Sequence, residues 1–336
     1  MYTLLIVDDT IENIDILTGI LSDDYTLRAA KSGETALKVA QKTLPDLILL
    51  DIMMPDMDGY QVCQELKQNP RTTHIPVIFV TAKDQELDEV KGFEAGAVDY
   101  INKPISPIIT KARIRTQLAL YNQQKELTTQ VREKTEEIQH TQLEIIKKLG
   151  RAAEYKDNDT GLHIERISEY CFLIASALGL DQTQADLILH ASPMHDIGKL
   201  GVPDYILQKP AKLTGEEFSH IRKHPEIGGY IIGESSCELL QAAKIIAQQH
   251  HEKWNGTGYP LGLSGESIHL FARIVAIADV FDALSSKRPY KDPWPVEKAV
   301  DLIKKESGQH FDPEIVNSFL SVLPKILKTR KRFEEA

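Results

Sequence analysis

Between residues 189 and 260 the chain carries His195-Asp196, His224, the pair His250-His251 and the run Asn255-Gly256-Thr257-Gly258-Tyr259-Pro260. His163 precedes this stretch, just after Asp159-Thr160-Gly161, and Asp279 follows it inside the apolar segment 274–284. A carboxylate placed there is costly unless a metal ion or hydrogen bonds satisfy it. Imidazole and carboxylate together suit iron, manganese, zinc or nickel, whereas calcium and magnesium prefer shells made of oxygen. Taken one at a time, such histidines read as helix caps or satisfied core residues, and His190, His220, His269 and His310 are read that way. Six positions recurring at expected helix ends, with Asp279 beside them, read instead as the centre of a metal-dependent hydrolase.

A second set of polar residues punctuates the first third of the chain. Short apolar runs, the pattern of strands covered on both faces, stop at Asp8-Asp9, at Asp51, at Thr81 and just before Lys103-Pro104. Helical patterns such as 11–21 and 35–44 lie between them, so strand and helix alternate and a parallel, doubly wound sheet follows. The carboxyl ends of such strands form the ligand crevice. Asp8, Asp9 and Asp51 would therefore converge, with Thr81 and Lys103 beside them. Crowded carboxylates repel unless a hard cation such as Mg²⁺ joins them. Asp56-Met57-Asp58-Gly59 lacks the later ligands of a calcium loop and reads as a turn.

The elements that must position these residues fill 336 positions, enough for two ordinary domains. A hydrophobic content of 42% and a charged content of 26% are those of a globular protein. The net charge of −10 argues against a nucleic-acid duplex as partner, and the basic stretch 328–332 reads as a solvated helix end. Cys63, Cys171 and Cys237 are isolated, which suggests neither disulfides nor a cysteine-based zinc site. No signal peptide and no apolar stretch of the roughly 18 residues a membrane span needs is visible, so a cytoplasmic location is expected. From about 110 to 149 the chain has neither proline nor glycine, and Val131, Ile138 and Ile145 recur every seven residues, with Leu149 beyond. That thin seam, diluted by Thr135 and Gln142, is the pattern of a weak coiled coil joining two protomers. Thereafter the helical period continues almost without strands. Helices are expected over 164–178, 182–191, 216–222, 238–248, 270–284 and 296–305, in an all-helical domain of seven or eight.

Residues 1–120 resemble the receiver domain of bacterial response regulators. Val7-Asp8-Asp9, Asp51 with Ile52-Met53-Met54-Pro55, Thr81-Ala82 and Lys103-Pro104 stand in that family's order and spacing. The resemblance implies a five-stranded α/β fold and Asp51 as phosphoacceptor for a sensor histidine kinase. It also implies Mg²⁺ held by Asp8, Asp9, Asp51 and the carbonyl of Met53, with Thr81 and Tyr100 as the switch pair beside Lys103.

The region from about 150 onward resembles the HD superfamily of metal-dependent phosphohydrolases, and within it the HD-GYP group. His195-Asp196-Ile197-Gly198-Lys199 is similar to the HD element, and the stretch from His250-His251-Glu252 to Gly258-Tyr259-Pro260 to the extended GYP element. The resemblance implies cyclic di-GMP as substrate, cleaved to pGpG or on to GMP. By it, His163, His195, Asp196 and Asp279 hold one divalent transition metal, iron or manganese first, nickel or zinc second. His224, His250 and His251 hold another, with Asp196 bridging. Lys199 would meet the scissile phosphate or leaving oxygen, and Tyr259, Arg288 and Lys291 would bind guanine and the remaining phosphate. Asp159 stands where some members carry the longer Glu associated with a third metal, which argues for two ions. Asn255 replaces the commoner Asp before the glycines, and an Asn-Gly turn is stereochemically equivalent there.

The expectation is a receiver (1–120), a helical linker (121–149) and an all-α HD-GYP phosphodiesterase (150–336) controlled by phosphorylation of Asp51. Two other classes are a cyclic di-GMP-binding interaction module with little turnover, and an HD enzyme acting on another cyclic dinucleotide. The sequence leaves open the metal, the product, the kinase and the direction of regulation.

Overall fold

The apolar runs form strands β1 (Thr3–Val7), β3 (Leu47–Asp51), β4 (Val77–Thr81) and β5 (Asp99–Asn102), and β2 (Thr26–Ala30) joins them. Every pairing is parallel, in the order β2-β1-β3-β4-β5. Helices α1 (Ile11–Leu21), α2 (Gly33–Thr43), α3 (Gly59–Gln68), α4 (Glu86–Glu94) and α5 (Pro107–Lys156) alternate with the strands or follow them. Successive strand side chains point to opposite faces. Leu5, Val7, Ile48, Leu50, Val77 and Phe79 therefore enter a core with α2 and α3, while Leu4, Ile6, Leu47, Leu49, Ile78 and Val80 meet α1 and the start of α5. The chain reverses its direction of winding between β1 and β3, which puts the ends of those strands at the crevice. The segment Asp56–Gly59 is the expected turn: Asp56 has φ 67°, and Asp58 caps α3 in a reciprocal box with Gln61.

This computed structural model describes residues 1–82, 86–156, 162–209, 211–286 and 292–334. Asp159, Arg288 and Lys291 lie outside them. Two compact units divide the chain, Met1–Thr135 and Glu136–Ala336. The division falls inside α5, a single helix of 50 residues that begins before the expected linker and ends beyond it. Val131, Ile138, Ile145 and Leu149 are exposed on it, as are Leu120 and Leu127.

The second unit adds α6 (Leu162–Ala177), α7 (Gln182–Ala191), α8 (Asp204–Leu207), α9 (Gly215–Ile221), α10 (His224–Ile232), α11 (Glu238–Gln249), α12 (Leu270–Ser285), α13 (Val296–Lys305) and α14 (Pro313–Glu334). Short 3₁₀ turns at Ser192–Met194 and Ile197–Gly201 link α7 to α8. No strand occurs among its described residues. Its core packs Tyr170, Phe281 and Phe319 edge to face, with centroids 6.0 and 5.1 Å apart. Three of these nine helices, the four-residue α8 together with α10 and α14, fall outside the six expected ranges. Helix α10 carries Pro225 in its first turn and the pair Gly228-Gly229 in its middle. Proline is tolerated in a first turn, and Gly228 lets α10 approach Ala247, where an added Cβ would sit 3.2 Å away. Helix α14 continues through Pro324, burying Ile315, Phe319 and Ile326. Among the described residues no helix is long and apolar enough to cross a membrane.

Candidate metal centre

Each ligand-capable side chain stands where a helix starts or stops, except Asp279. His163 lies in the first turn of α6, and His195 closes the 3₁₀ turn after α7. His224 opens α10; His250 caps the end of α11 and His251 follows it. Asp279 projects from α12. The approach is close: a Cβ on Gly198 would lie 1.8 Å from the carbonyl oxygen of His224. Only glycine lets the HD segment meet α10 so tightly.

The side chains form two groups, each with ligand-capable atoms within 4.8 Å of one another: Asp196, His224, His250 and His251 in one, His163, His195 and Asp279 in the other. Asp196 faces both. Its Oδ1 lies 3.1 Å from His224 Nε2 and 3.5 Å from His250 Nε2, and its Oδ2 lies 3.4 Å from His195 Nε2. His163 Nε2 is 3.4 Å from Asp279 Oδ1. All seven side chains expected to hold metal are thus brought together, while His190, His220, His269 and His310 stay outside both groups. Of these, His269 caps α12 and His220 bonds the Glu216 carbonyl.

The other ring nitrogens fix the tautomers. Nδ1 of His195 donates to the Ser192 carbonyl (2.9 Å), Nδ1 of His224 to Ile221 (2.8 Å) and Nδ1 of His250 to Ile246 (3.0 Å). Nδ1 of His163 donates to Asp282 Oδ2 at 2.6 Å. The Nε2 lone pairs therefore turn inward, those of His224 and His250 only 3.4 Å apart. Nε2 of His195 is buried with no hydrogen-bond partner. Inward-facing lone pairs, buried and grouped with carboxylates, are an arrangement that cations complete, and a partner on the far ring nitrogen is the usual support of a metal-binding imidazole. The residues fit two divalent ions.

Electrostatics agree. Burial opposes charge on His163, but Asp279 and Asp282 outweigh it and raise its pKa to about 10, so a proton readily takes the cation's place. Burial opposes charge on Asp196 too, yet Lys199 and His195 hold its carboxyl well below the usual range. Burial, then the charges of His250 and His224, depress His251.

Lys199 Nζ lies 2.8 Å from Asp196 Oδ2, and the Tyr259 ring stacks on His251 with centroids 4.8 Å apart. The Asn255-Gly256 turn forms as expected, with Asn255 Oδ1 accepting from Thr257 N at 3.1 Å and Gly256 at φ 79°.

Several residues of the site escaped the sequence reading. Asp282 is fully buried, and besides His163 it accepts Arg166 Nε and an Arg166 terminal nitrogen, each at 2.7 Å. Arg166 and His163 overcome its burial and hold its pKa at about 2. A second carboxylate three residues after Asp279, within the otherwise apolar segment 274–284, was the available signal. Buried Glu252 accepts the backbone N–H groups of Leu261 (2.7 Å) and Leu263 (3.0 Å), folding the loop that presents Tyr259. Buried Glu154, at the end of α5, places an oxygen 3.9 Å from His163 Nε2.

In the first unit Asp8, Asp9 and Asp51 form a third group of grouped ligand atoms. Lys103 Nζ bridges Asp8 (3.0 Å) and Asp51 (3.1 Å). Burial raises the Asp51 pKa, with Lys103 opposing it. Thr81 ends β4, buried, and buried Tyr100 on the neighbouring β5 meets Phe93 edge to face at 5.2 Å.

Comparison with known proteins agrees with both halves. Residues 4–115 match the response regulator receiver domain and residues 119–315 match the HD domain. A probable cyclic di-GMP phosphodiesterase of Vibrio cholerae is 43% identical over 95% of this chain and 77% of that protein. The cyclic di-GMP phosphodiesterase response regulator RpfG of Xanthomonas campestris is 37% identical over 94% of this chain and 86% of its own length. A 3'3'-cGAMP-specific phosphodiesterase 2 of Vibrio cholerae is 45% identical over 55% of this chain and 35% of that protein. An HD domain implies divalent metal binding, which the His/Asp cluster matches. The chain belongs to the response regulators that join a receiver domain to an HD domain.

Proposed function

We propose that the protein is a metal-dependent phosphodiesterase that hydrolyses cyclic di-GMP to pGpG or GMP and is controlled by phosphorylation of Asp51. The observation that carries the hydrolase is the inward-facing imidazole set, with the buried Nε2 of His195 aimed into it beside Asp196 and Asp279. His163, His195, Asp196 and Asp279 would hold one ion and His224, His250 and His251 the other, Asp196 facing both. Iron or manganese suits these donors first, nickel or zinc second. Bound ions of this kind acidify a shared water and offset charge gathering on phosphoryl oxygens.

The side chains supply the rest. Asp282 and the backbone carbonyls hold the rings of His163, His195, His224 and His250 by Nδ1, leaving Nε2 of each to face the centre. Lys199, held against Asp196, donates to a phosphoryl oxygen or to the leaving 3′ oxygen as the P–O bond breaks. Tyr259 offers a ring face beside the centre on which a guanine stacks. Arg288 and Lys291 follow α12 and are proposed to hold the remaining phosphate.

In the receiver, Asp8, Asp9, Asp51 and the Met53 carbonyl would bind Mg²⁺, and a sensor histidine kinase would be the phosphodonor. Lys103 would then meet the phosphoryl oxygens while Thr81 and Tyr100 reorient. The exposed seam of α5 supports a homodimer through that helix. The test is turnover of the manganese- or iron-loaded chain on cyclic di-GMP, with and without an acyl-phosphate donor. Absence of turnover leaves a binding module, and equal rates remove the switch. The relative specific for 3'3'-cGAMP favours including that substrate as a competitor; faster hydrolysis of it would reassign the substrate.

A further inference from the structure

The last three turns of α5 touch the second unit at points the proposed reaction does not use. Ile146, Gly150, Ala153 and Glu154 share one helical face by their spacing. Ile146 and Ala153 enter the core of the second unit. A Cβ on Gly150 would lie 2.4 Å from the carbonyl oxygen of Pro193, two residues before His195, and Glu154 reaches the neighbourhood of His163 Nε2. Beyond them, Lys156 Nζ donates to the carbonyl oxygens of Leu200 and Val202, at 2.7 Å each, and lies 3.4 Å from Asp204.

Those two carbonyls close the 3₁₀ turn Ile197–Gly201. So short a turn leaves its final carbonyls without partners of its own, and its hydrogen bonds are poorly aligned. A cation at the carboxyl end satisfies both the carbonyls and the local dipole. Lys199 lies inside this turn. Its N–H donates to the Asp196 carbonyl at 2.9 Å, its carbonyl accepts from Val202 N–H at 3.0 Å, and its ammonium meets the Asp196 carboxylate at 2.8 Å.

We propose that Lys156 is a positioning residue, whose ammonium closes the turn Ile197–Gly201 and thereby fixes where Lys199 stands over Asp196. The residues that make this brace all lie in the second unit, Lys156 at the end of α5 and its carbonyl partners just after the HD segment. The inference rests on the reading of the cluster as a metal-dependent hydrolytic site.

The experiment compares the full-length chain with Lys156→Met and Lys156→Arg. It measures hydrogen exchange of the amides of residues 197–202, bound manganese, and turnover of cyclic di-GMP. Two charge-assisted hydrogen bonds are lost in Lys156→Met. Exchange in that segment should rise about tenfold and kcat should fall about tenfold, with KM within about twofold and manganese content unchanged. Lys156→Arg, which keeps the charge and paired donors, should recover most of both. Unchanged exchange, or raised exchange with unchanged kcat, overturns the proposal. So does a loss of protection, manganese and thermal stability across the whole helical unit that arginine fails to rescue. If the unaltered protein hydrolyses no cyclic dinucleotide, the substrate reading fails; the exchange of residues 197–202 then decides this inference by itself.

Discussion

Two acid-bearing sites in this chain differ in what neutralises them. In the receiver, Asp8 and Asp51 are bridged by Lys103 at 3.0 and 3.1 Å, and Asp9 is exposed. A tethered cation there partly offsets the carboxylates, and under the proposed function a hard ion and a phosphoryl group would come and go over these oxygen ligands. In the HD cluster, imidazole lone pairs face one another within 3.4 Å and Asp196 lies among them. That donor set, borderline imidazole nitrogens with hard carboxylate oxygens, suits a divalent transition metal. On the proposed reading, the receiver pocket would exchange its ion and the HD cluster would retain its own.

The contrast is broken most severely at Asp196, whose two carboxylate oxygens face both imidazole groups. Asp196→Asn keeps the shape and should cost on the order of 10³-fold in kcat/KM for cyclic di-GMP, about 4 kcal/mol at 1.36 kcal/mol per tenfold. Retention of more than about a tenth of the activity would remove Asp196 from the chemistry. Next comes Asp282→Asn. The Arg166 clamp and the His163 Nδ1–H then lose a full carboxylate, and manganese should bind about 10–100-fold more weakly. An unchanged manganese titration would show that the His163 ring is held by its helix alone.

Chelation sharpens the contrast without mutation. If ion binding at a thousandfold excess over Kd adds about 4 kcal/mol, then removing transition metal should lower the melting transition of the helical unit and leave that of the receiver nearly in place. Calorimetry of the full chain reads this directly. Equal downward shifts in both transitions would mean that the two sites retain ions alike.

The two sites were also unequally legible in the sequence. The receiver pocket shows because strand ends are marked by apolar runs that stop at Asp8, Asp51 and Thr81. The exception is β2, an edge strand whose only buried residue is Ala30, so it has no apolar run to reveal it. The imidazoles of the HD cluster show by residue type and by their place at helix ends. Asp282 and Glu252 do not. Their roles depend on Arg166, 116 positions away in the chain, and on backbone N–H groups of Leu261 and Leu263, pairings that no local period encodes. Helix α10 has little helical propensity to show it, since Pro225 and Gly228-Gly229 fall within nine residues and the glycines serve close packing against α11.

The smallest expected effect lies on the exposed face of α5. Val131, Ile138 and Ile145 are each more than half exposed, so a single chain loses little when one of them becomes polar. Ile138→Asp should change the stability of one chain by no more than about 0.5 kcal/mol. In a paired helix the same change buries a charge against its own copy, and association should fall sharply in sedimentation measurements. The seven proposed ligands all come from residues 163–279 of one chain, so the resulting monomer keeps a complete site. Its unphosphorylated turnover per site should stay within about twofold, under half a kcal/mol at 1.36 kcal/mol per tenfold. Stimulation by an acyl-phosphate donor should disappear. A monomer that loses basal turnover would place part of the retentive site in the partner, and a dimer that survives Ile138→Asp would move the interface off this seam.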